Sequence, residues 1–197
     1  MLDEGIAIEV VDRSLKKKGF PVGPISLLDE VGLDIAAHVT ESSKKNIAGK
    51  VGFEVSEAVI KMNAAGRKGR KNKKGFFTYN SNGKKKGVDA TAYDFFKGKG
   101  NQSLPISDIQ DRAVFLMLNE AVLCLEEGII ENPTDGDLGA VFGIGFLPFT
   151  GGPFRALDTW GIADVVARME DFKRTYGERF APAKTLLKMA KEGSTFY

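Results

Sequence analysis

The chain has 197 residues, 43% of them hydrophobic, so it can bury one large core or two small ones. Its formal net charge of +2 does not by itself indicate a polyanionic partner such as nucleic acid. The single cysteine excludes an intrachain disulfide framework, and no apolar run reaches the roughly 18 residues that a membrane-spanning helix needs.

The N-terminal sequence, MLDEGIAIEVVD, resembles neither a signal peptide nor a transit peptide. It begins directly with an amphipathic pattern, as expected for a chain cut from a longer one. Helices are predicted next at GPISLLDEVG, LDIAAHVTESSKK and SEAVIKMNAAG, where apolar residues recur every three to four positions.

His38 is the only histidine, and it follows Asp34 by four residues on a predicted helix. We expect it to bond that carboxylate at the surface rather than to act in catalysis. The only cysteine, Cys124, lies in an apolar run and is expected to be a buried small hydrophobic residue. One histidine and one cysteine argue against a zinc site.

The stretch GRKGRKNKKGFFTYNSNGKKKG, residues 66–87, concentrates positive charge. Residues 58–88 hold ten Lys or Arg and no Asp or Glu, which leaves 18 basic and 26 acidic residues elsewhere. Basic residues among aromatic ones can bind nucleic acid. We favour a different interpretation, in which Phe76, Phe77 and Tyr79 close a core and the basic residues occupy an exposed loop. Whether loop 67–86 contacts a phosphate-bearing small molecule, an acidic partner domain or only solvent stays open.

Residues 80–105 show no strong pattern and are predicted to connect two parts of the chain. Ser107 and Gln110 then form a capping-box pattern, and Val114–Leu125 is apolar on nearly all sides, which predicts a buried central helix. Further helices are predicted at GGPFRALDTWG, GIADVVARMEDFKRTYG and APAKTLLKMAKEG. Pro153 suits the first helical position and Gly161 the end.

The glycine-rich stretch GAVFGIGFLPFTGG, residues 139–152, could be taken for a phosphate-binding loop. However, Gly143 and Gly145 are followed by Leu147 and Pro148 rather than by the third glycine of GxGxxG, and the preceding residues are helical in pattern. We therefore predict an apolar corner between helices.

An internal repeat organises the chain. Pro24, Asp29 and Gly32 match Pro153, Asp158 and Gly161 at an offset of 129 residues, and Phe53, Met62 and Gly66 match Phe180, Met189 and Gly193 at 127. Both copies end in an aromatic doublet, Phe76–Phe77 and Phe196–Tyr197. Recurrence of Asp29 and Asp158 predicts a structural task, such as bonding a neighbouring helix N-terminus.

At GFPVGPISLLDEVGLD the sequence resembles the C-terminal helical region of 3-hydroxyacyl-CoA dehydrogenases, with a pattern near G-[FWY]-P-x-G-P-x-x-L-x-D-x-x-G-x-D. GRKNKKGFFTY is similar to the family's closing G-R-K-x-G-x-G-F-Y. The second copy resembles the tandem unit of multifunctional β-oxidation enzymes, mitochondrial and bacterial. The implied fold is all-α, with two tandem units packed as a pseudo-dimer: 1–79 as a first unit lacking its first helix, 80–105 as a linker, and 106–197 as a degenerate unit.

The resemblance implies NAD bound by an absent Rossmann domain, with no cofactor, metal or catalytic residue in this chain. Asp111, before Arg112, stands where the family has the asparagine of an Asn-Arg pair. Candidates for part of the substrate cleft are Phe20, Pro21, Gly23 and Pro24. Because the first helix of unit one is missing, open apolar surface is expected near residues 1–30.

The parent implied by the resemblance oxidises L-3-hydroxyacyl-CoA to 3-ketoacyl-CoA and carries an enoyl-CoA hydratase, a lyase activity, while this fragment alone is inactive. Its partners would be its own hydratase and Rossmann domains, a thiolase β subunit and acyl-CoA, with no nucleic acid; membrane association of the parent is left open. A mitochondrial location is favoured, with the bacterial cytoplasm and the peroxisome as alternatives. The competing hypothesis is a helical protein-interaction module with a basic docking loop.

Overall fold

The computed structural model describes residues 1–46 and 56–197, which divide into two compact units, Met1–Ile109 and Gln110–Tyr197. Phe53, which the repeat aligns with Phe180, lies outside the described residues. The model is mostly helical, which confirms the predicted all-α class. The family boundaries proposed from sequence, and the packing of the two copies on each other, stay predictions.

Over residues 1–46 and 56–105, the first unit contains four α-helices and a short hairpin. The helices are α1 (Ile8–Lys18), α2 (Pro24–Val31), α3 (Leu33–Asn46) and α4 (Ala58–Ala64). The hairpin pairs β1 (Phe77–Tyr79) with β2 (Lys85–Val88) in antiparallel register, Phe77 opposite Val88. Its core includes Ile8, Leu33, Met62 and Phe76, each 1% exposed or less.

The second unit contains a long helix followed by four shorter ones. These are α5 (Ile106–Glu126), α6 (Pro133–Ile144), α7 (Pro153–Trp160), α8 (Ile162–Tyr176) and α9 (Lys184–Glu192). α5 buries Val114, Leu118 and Val122 completely, but Glu120 is exposed, so the predicted central helix is buried on one side only. Cys124 on this helix is half-buried rather than buried as predicted.

The helices α2 and α7 show how the repeat encodes the same local structure twice. Each begins at a proline, Pro24 or Pro153, where the missing N–H is not needed. Each ends at a glycine with positive φ, 106° at Gly32 and 87° at Gly161. These starts and stops confirm the predictions made for Pro153 and Gly161.

The connection at 80–105 has more structure than its sequence pattern indicated. It contributes β2 and a 3₁₀ helix over Ala90–Phe95, and both belong to the first unit. The strand β2 could not be recognised from the sequence because three of its four residues are exposed. It therefore shows no alternation of apolar and polar residues.

Candidate functional site

The corner between α1 and α2 is closed by a buried carboxylate. Asp12 accepts hydrogen bonds from the backbone N–H groups of Ile25 at 2.8 Å and Ser26 at 3.1 Å, and from the Ser26 hydroxyl. Its negative charge complements the positive end of the α2 dipole. A methyl group at Gly23 would lie 2.3 Å from Cγ of Asp12, so this approach requires glycine.

The predicted cleft residues lie at this corner but differ in accessibility. Pro21 is exposed, Phe20 and Pro24 are half-buried, and Gly23 is buried against Asp12. Val22 and Leu27 beside them are 41% and 49% exposed, so open apolar surface is present near residues 1–30 as expected. A role in a substrate cleft stays a prediction for all four.

Lys85 of β2 brings a cation to the same corner. Its ammonium donates to Oγ of Ser26 at 2.7 Å and lies 4.0 Å from a carboxylate oxygen of Asp12. It also sits 3.9 Å from the centroid of the Phe77 ring, a cation–π distance. The hairpin therefore positions a charged side chain against the start of α2.

Asp29 of α2 holds the aromatic end of the first unit. It is completely buried and accepts hydrogen bonds from the N–H groups of Phe76 at 2.9 Å and Phe77 at 3.0 Å, and from the Tyr79 hydroxyl at 2.9 Å. Burial raises the pKa of Asp29 although these hydrogen bonds oppose it, and burial beside Asp29 raises the pKa of Tyr79.

The second unit repeats this arrangement. Asp158 accepts from the N–H groups of Phe196 at 2.9 Å and Tyr197 at 3.0 Å. The structural task predicted for Asp29 and Asp158 is thus confirmed, but the suggested partner is wrong: both bond the aromatic doublet rather than a helix N-terminus. The helix N-termini are instead bonded by Asp12, at the start of α2, and by Asp137, at the start of α7. Asp137 accepts a hydrogen bond from the N–H of Phe154 at 2.7 Å.

The aromatic residues of the basic stretch point inward, as predicted. Phe76, Phe77 and Tyr79 are 1%, 3% and 9% exposed. Several of the basic residues make ion pairs: Arg70 with Glu30 at 2.8 Å and Lys71 with Asp34 at 2.5 Å.

The Asp34 pair corrects an expectation. Asp34 was predicted to bond His38 on α3, but its carboxylate is held by Lys71, which lowers the pKa of Asp34, and His38 is exposed. Sequence spacing within a helix could not anticipate a partner from a loop 37 residues away.

Arg67 is the second correction. It was expected in the exposed loop, yet it is only 3% exposed and donates to the carbonyl of Gly75 at 2.7 Å, to Asp89 at 2.9 Å and to the Thr91 hydroxyl. The charge of Arg67 is tolerated in the interior because Asp89 neutralises it. The Gly75 carbonyl and the Thr91 hydroxyl accept further hydrogen bonds from the guanidinium. Arg67 thereby ties the 80–105 connection to the first unit.

The second unit uses its polar groups for packing. Arg112 is 1% exposed, with its guanidinium 3.6 Å from the centroid of Tyr176, and Asp111 beside it is half-buried. Asn119 donates to the carbonyl of Ala181 at 3.1 Å and accepts from the N–H of Ala183 at 2.8 Å, which secures the start of α9.

The glycine-rich stretch forms a corner between helices, as predicted. Gly145 ends α6 with φ 68°, and the buried Phe146 and Leu147 lead into α7. Asp137 already occupies the N-terminus of α7, where a phosphate would have to bind, so the corner does not suit an anion. This corner therefore does not suit the phosphates of NAD.

The described residues offer neither a metal-binding cluster nor a membrane-spanning helix. Among these residues, no group of three or more histidine, cysteine, aspartate or glutamate side chains is placed to hold a metal ion. Over the same ranges, no helix combines the length and hydrophobicity needed to cross a membrane.

Comparison with known proteins decides the family. Residues 1–79 match the model of the 3-hydroxyacyl-CoA dehydrogenase C-terminal domain. Residues 1–79 are a domain of this family. Along its whole length the chain is 49% identical to the fatty acid oxidation complex subunit alpha of Shewanella amazonensis and 48% identical to that of Shewanella frigidimarina, and it spans 28% of the length of each.

Solved structures agree on the fold. A 3-hydroxybutyryl-CoA dehydrogenase from Escherichia coli superposes over 96% of this chain and 56% of its own, with a TM-score of 0.73 and 20% identity. The dehydrogenase part of multifunctional enzyme 1 from C. elegans gives 0.64, covering 95% of this chain and 43% of its own at 20% identity. The two alpha-subunit relatives are bacterial, so they do not support the mitochondrial location that the resemblance favoured.

Sequence reasoning missed the structural roles of four residues that organise the site: Asp12, Asp137, Arg67 and Asp89. Asp12 and Asp137 had a signal, because each lies on a helix that precedes a Gly-Pro helix start. Asp89 had only a local signal: an aspartate two residues before Thr91 can accept a hydrogen bond from the Thr91 N–H and cap the 3₁₀ helix.

Proposed function

We propose that this chain is the C-terminal dehydrogenase region of a multifunctional β-oxidation enzyme. The parent would oxidise L-3-hydroxyacyl-CoA to 3-ketoacyl-CoA with NAD and would also carry enoyl-CoA hydratase activity. One observation carries the proposal: similarity to fatty acid oxidation complex alpha subunits extends over 100% of this chain, through both copies of the repeat.

Within that parent, this chain would supply packing and one wall of the substrate cleft. The corner of Phe20, Pro21 and Pro24 offers accessible apolar surface beside Lys85. Hydride transfer also needs a bound nicotinamide and a general base at the hydroxyl carbon. The dinucleotide would be bound by a Rossmann domain outside these 197 residues, because the described glycine-rich corner does not suit its phosphates.

The second copy would be a structural unit. Asp111 stands where the family has asparagine, and an ionised carboxylate cannot donate a hydrogen bond to a developing ketone oxygen. Its neighbour Arg112 is committed to the Tyr176 ring. We therefore assign no catalytic role to this unit.

The partners and location follow from the same assignment. The chain would contact its own hydratase and Rossmann domains, and the parent would assemble with a thiolase β subunit, which would consume the 3-ketoacyl-CoA. The bacterial relatives support the bacterial cytoplasm over the mitochondrion.

The test is NAD reduction by the full-length parent with a 3-hydroxyacyl-CoA substrate. Phe20→Ala and Pro21→Ala should raise KM for the acyl-CoA with a smaller effect on kcat, because they would remove binding surface and leave the reacting groups in place. Lys16→Ala, an exposed change on α1, is the matched control. Turnover without NAD dependence, or no effect of the corner variants, would overturn the assignment.

One observation favours the second candidate, a helical interaction module. Lys68, Lys73, Lys74, Lys84 and Lys86 are exposed, and none has an ion-pair partner within the described ranges. Thermal stabilisation of the parent by NAD or acyl-CoA supports the dehydrogenase, whereas stabilisation by an acidic protein alone supports the module.

A further inference from the structure

The turn of the β1–β2 hairpin carries the one Asn-Gly dipeptide in the sequence, Asn82–Gly83. Asn82 is exposed in this turn. An asparagine that precedes glycine is chemically vulnerable, because glycine has no Cβ to hinder its backbone nitrogen from reaching the asparagine side chain. Whether the reaction proceeds in a folded protein depends on the backbone around the two residues.

The backbone at Gly83 leaves room for this approach. Gly83 has φ 73°, in the left-handed region that glycine adopts without strain. Beyond its chain neighbours, a methyl group built on Gly83 would meet only Nε of Arg70, at 3.6 Å. One hydrogen bond must open first, since the Gly83 N–H donates to the carbonyl of Asn80 at 3.0 Å. Opening a single bond in a surface turn requires far less free energy than global unfolding.

The charges of the hairpin favour the reaction. The Gly83 nitrogen must give up its proton, and negative charge then develops on the side-chain oxygen of Asn82. Three lysines follow directly, Lys84–Lys86, and residues 58–88 contain no Asp or Glu. Positive charge close to a developing anion lowers the free energy of the transition state.

A second dipeptide, Asp135–Gly136, shows what the hairpin adds. An aspartate before glycine can close the same ring by losing water. However, this pair lies in the first turn of α6, where the Gly136 N–H donates to the carbonyl of Asn132 at 3.3 Å. A methyl group on Gly136 would lie 2.5 Å from the ring of Phe154, so the space around this glycine is filled. The sequence marks both pairs, and the structure favours only Asn82.

We propose that Asn82 is a site of spontaneous deamidation in the folded chain. The Gly83 nitrogen bonds to Cγ of Asn82, the Cγ–Nδ2 bond breaks, and the side-chain nitrogen leaves as ammonia with the proton lost by Gly83. The product is a succinimide ring. Water then opens the ring at either carbonyl: opening at the side-chain carbonyl gives aspartate, and opening at the main-chain carbonyl gives isoaspartate. Water is the only co-reactant.

The isoaspartate product alters how the hairpin contacts α2. It routes the main chain through the side-chain carbons of residue 82 and so lengthens the turn by a methylene group. The turn is closed by the N–H of Asn80, which donates to the carbonyl of Lys84 at 3.0 Å. A longer turn displaces Lys84 and pulls Lys85 away from Oγ of Ser26, which its ammonium contacts at 2.7 Å. Deamidation thereby weakens the cationic contact at the start of α2.

Ageing of the folded protein at physiological pH and temperature tests the site. A synthetic peptide of residues 75–84, which is also a tryptic peptide of the protein, provides the time scale. This peptide contains Asn80 before Ser81 as an internal control for Asn82. The expected result is the mass change of an amide becoming an acid, placed at Asn82 by fragment ions, with isoaspartate detected by enzymatic methylation.

Three outcomes would overturn the site. They are an unmodified Asn82 in the folded protein when the free peptide has converted fully, conversion at Asn80 in preference to Asn82, and as much isoaspartate at Asp135 as at residue 82. Asn82→Gln is the control variant and should remove the signal, because glutamine must close a larger ring. Asn82 is exposed, so this variant should fold as the native chain does.

Hydrogen exchange tests the consequence for the hairpin. Backbone amides of residues 77–88 should exchange about tenfold faster in the isoaspartate form, separated by ion exchange, than in the unmodified protein. Asn82→Asp adds the negative charge without lengthening the main chain, so it should exchange at the native rate. Equal exchange in the isoaspartate and unmodified forms would overturn the loosening of Lys85. These measurements do not depend on dehydrogenase activity.

Discussion

At the scale of single residues, the chain relies on carboxylates that bond backbone N–H groups. Asp12 and Asp137 hold helix starts, while Asp29 and Asp158 hold aromatic doublets. Each carboxylate satisfies donors that would otherwise be buried without a partner, which costs more than an ordinary hydrogen bond contributes.

Asp29→Ala should destabilise the chain by about 3 kcal/mol, because it leaves the buried N–H groups of Phe76 and Phe77 without an acceptor. Asp158→Ala is the matched control and should cost about 1 kcal/mol, since Asp158 is half-buried and water can reach Tyr197 N–H. Urea unfolding of both variants measures the difference. Equal losses would show that burial does not set the cost.

Lys73 has φ 65°, and it is the only non-glycine residue with positive φ in the described ranges. The family pattern G-R-K-x-G-x-G-F-Y has glycine at this position. Lys73→Gly should therefore stabilise the chain by up to about 1 kcal/mol, because the strain of a left-handed side-chain-bearing residue exceeds the added entropy of glycine. Lys74→Gly, at a position of ordinary φ, should destabilise it. Thermal unfolding compares the two, and a lower melting temperature for Lys73→Gly would contradict the strain.

At the scale of elements, the hairpin and its connection are held by the Arg67–Asp89 pair. The 2.9 Å contact joins a loop after α4 to the residue that caps the 3₁₀ helix at Ala90–Phe95. Arg67 is 4% exposed at its side chain and Asp89 16%, so the pair is screened less than a surface salt bridge.

The Arg67–Asp89 pair should make the free energy of unfolding depend on pH in the acidic range. Burial acts to raise the pKa of Asp89, but hydrogen bonds from Thr91 and Arg67 outweigh it, and the pKa falls below 3.8. The folded chain then binds fewer protons than the unfolded chain, so the stabilisation is complete above pH 3.8 and is lost as the pH falls through the lowered pKa.

Asp89→Asn should therefore be less stable than the native chain near neutral pH, and the difference should shrink below pH 3.8. Urea unfolding across the acidic range measures the convergence. A Glu30→Gln variant, which removes an exposed pair with Arg70, controls for general charge effects. If the stability difference between Asp89→Asn and the native chain stayed constant with pH, the pH dependence could not be assigned to Asp89.

At the scale of the whole molecule, one helical scaffold occurs twice with different surfaces. The first unit carries the basic hairpin and the accessible corner at Phe20–Pro24. The second carries the exposed apolar side chains Leu138 and Phe142 on α6 and a buried Arg112. The repeat conserves the carboxylates that build the scaffold and varies what surrounds them.

The chain by itself should not reduce NAD with a 3-hydroxyacyl-CoA, and Asp111→Asn should not create activity. Restoring the amide supplies one hydrogen-bond donor, while the nicotinamide and general base would still be missing. Spectrophotometric assays of the chain, of its Asp111→Asn variant and of the full-length parent test this. Turnover by either short form would contradict the proposed division of roles.

The sequence alone determined the repeat, the helical class and the family, because helix starts, stops and apolar spacing are local properties of the chain. It also predicted that Phe76, Phe77 and Tyr79 turn inward, since the aromatic doublet recurs. Tertiary structure decided three features that the sequence did not predict. Arg67 is buried, Lys71 rather than His38 bonds Asp34, and residues 80–105 belong to the first unit. Each of these depends on a partner more than 20 residues away, and hydrogen bonds and ion pairs over such separations leave no periodic trace in the sequence.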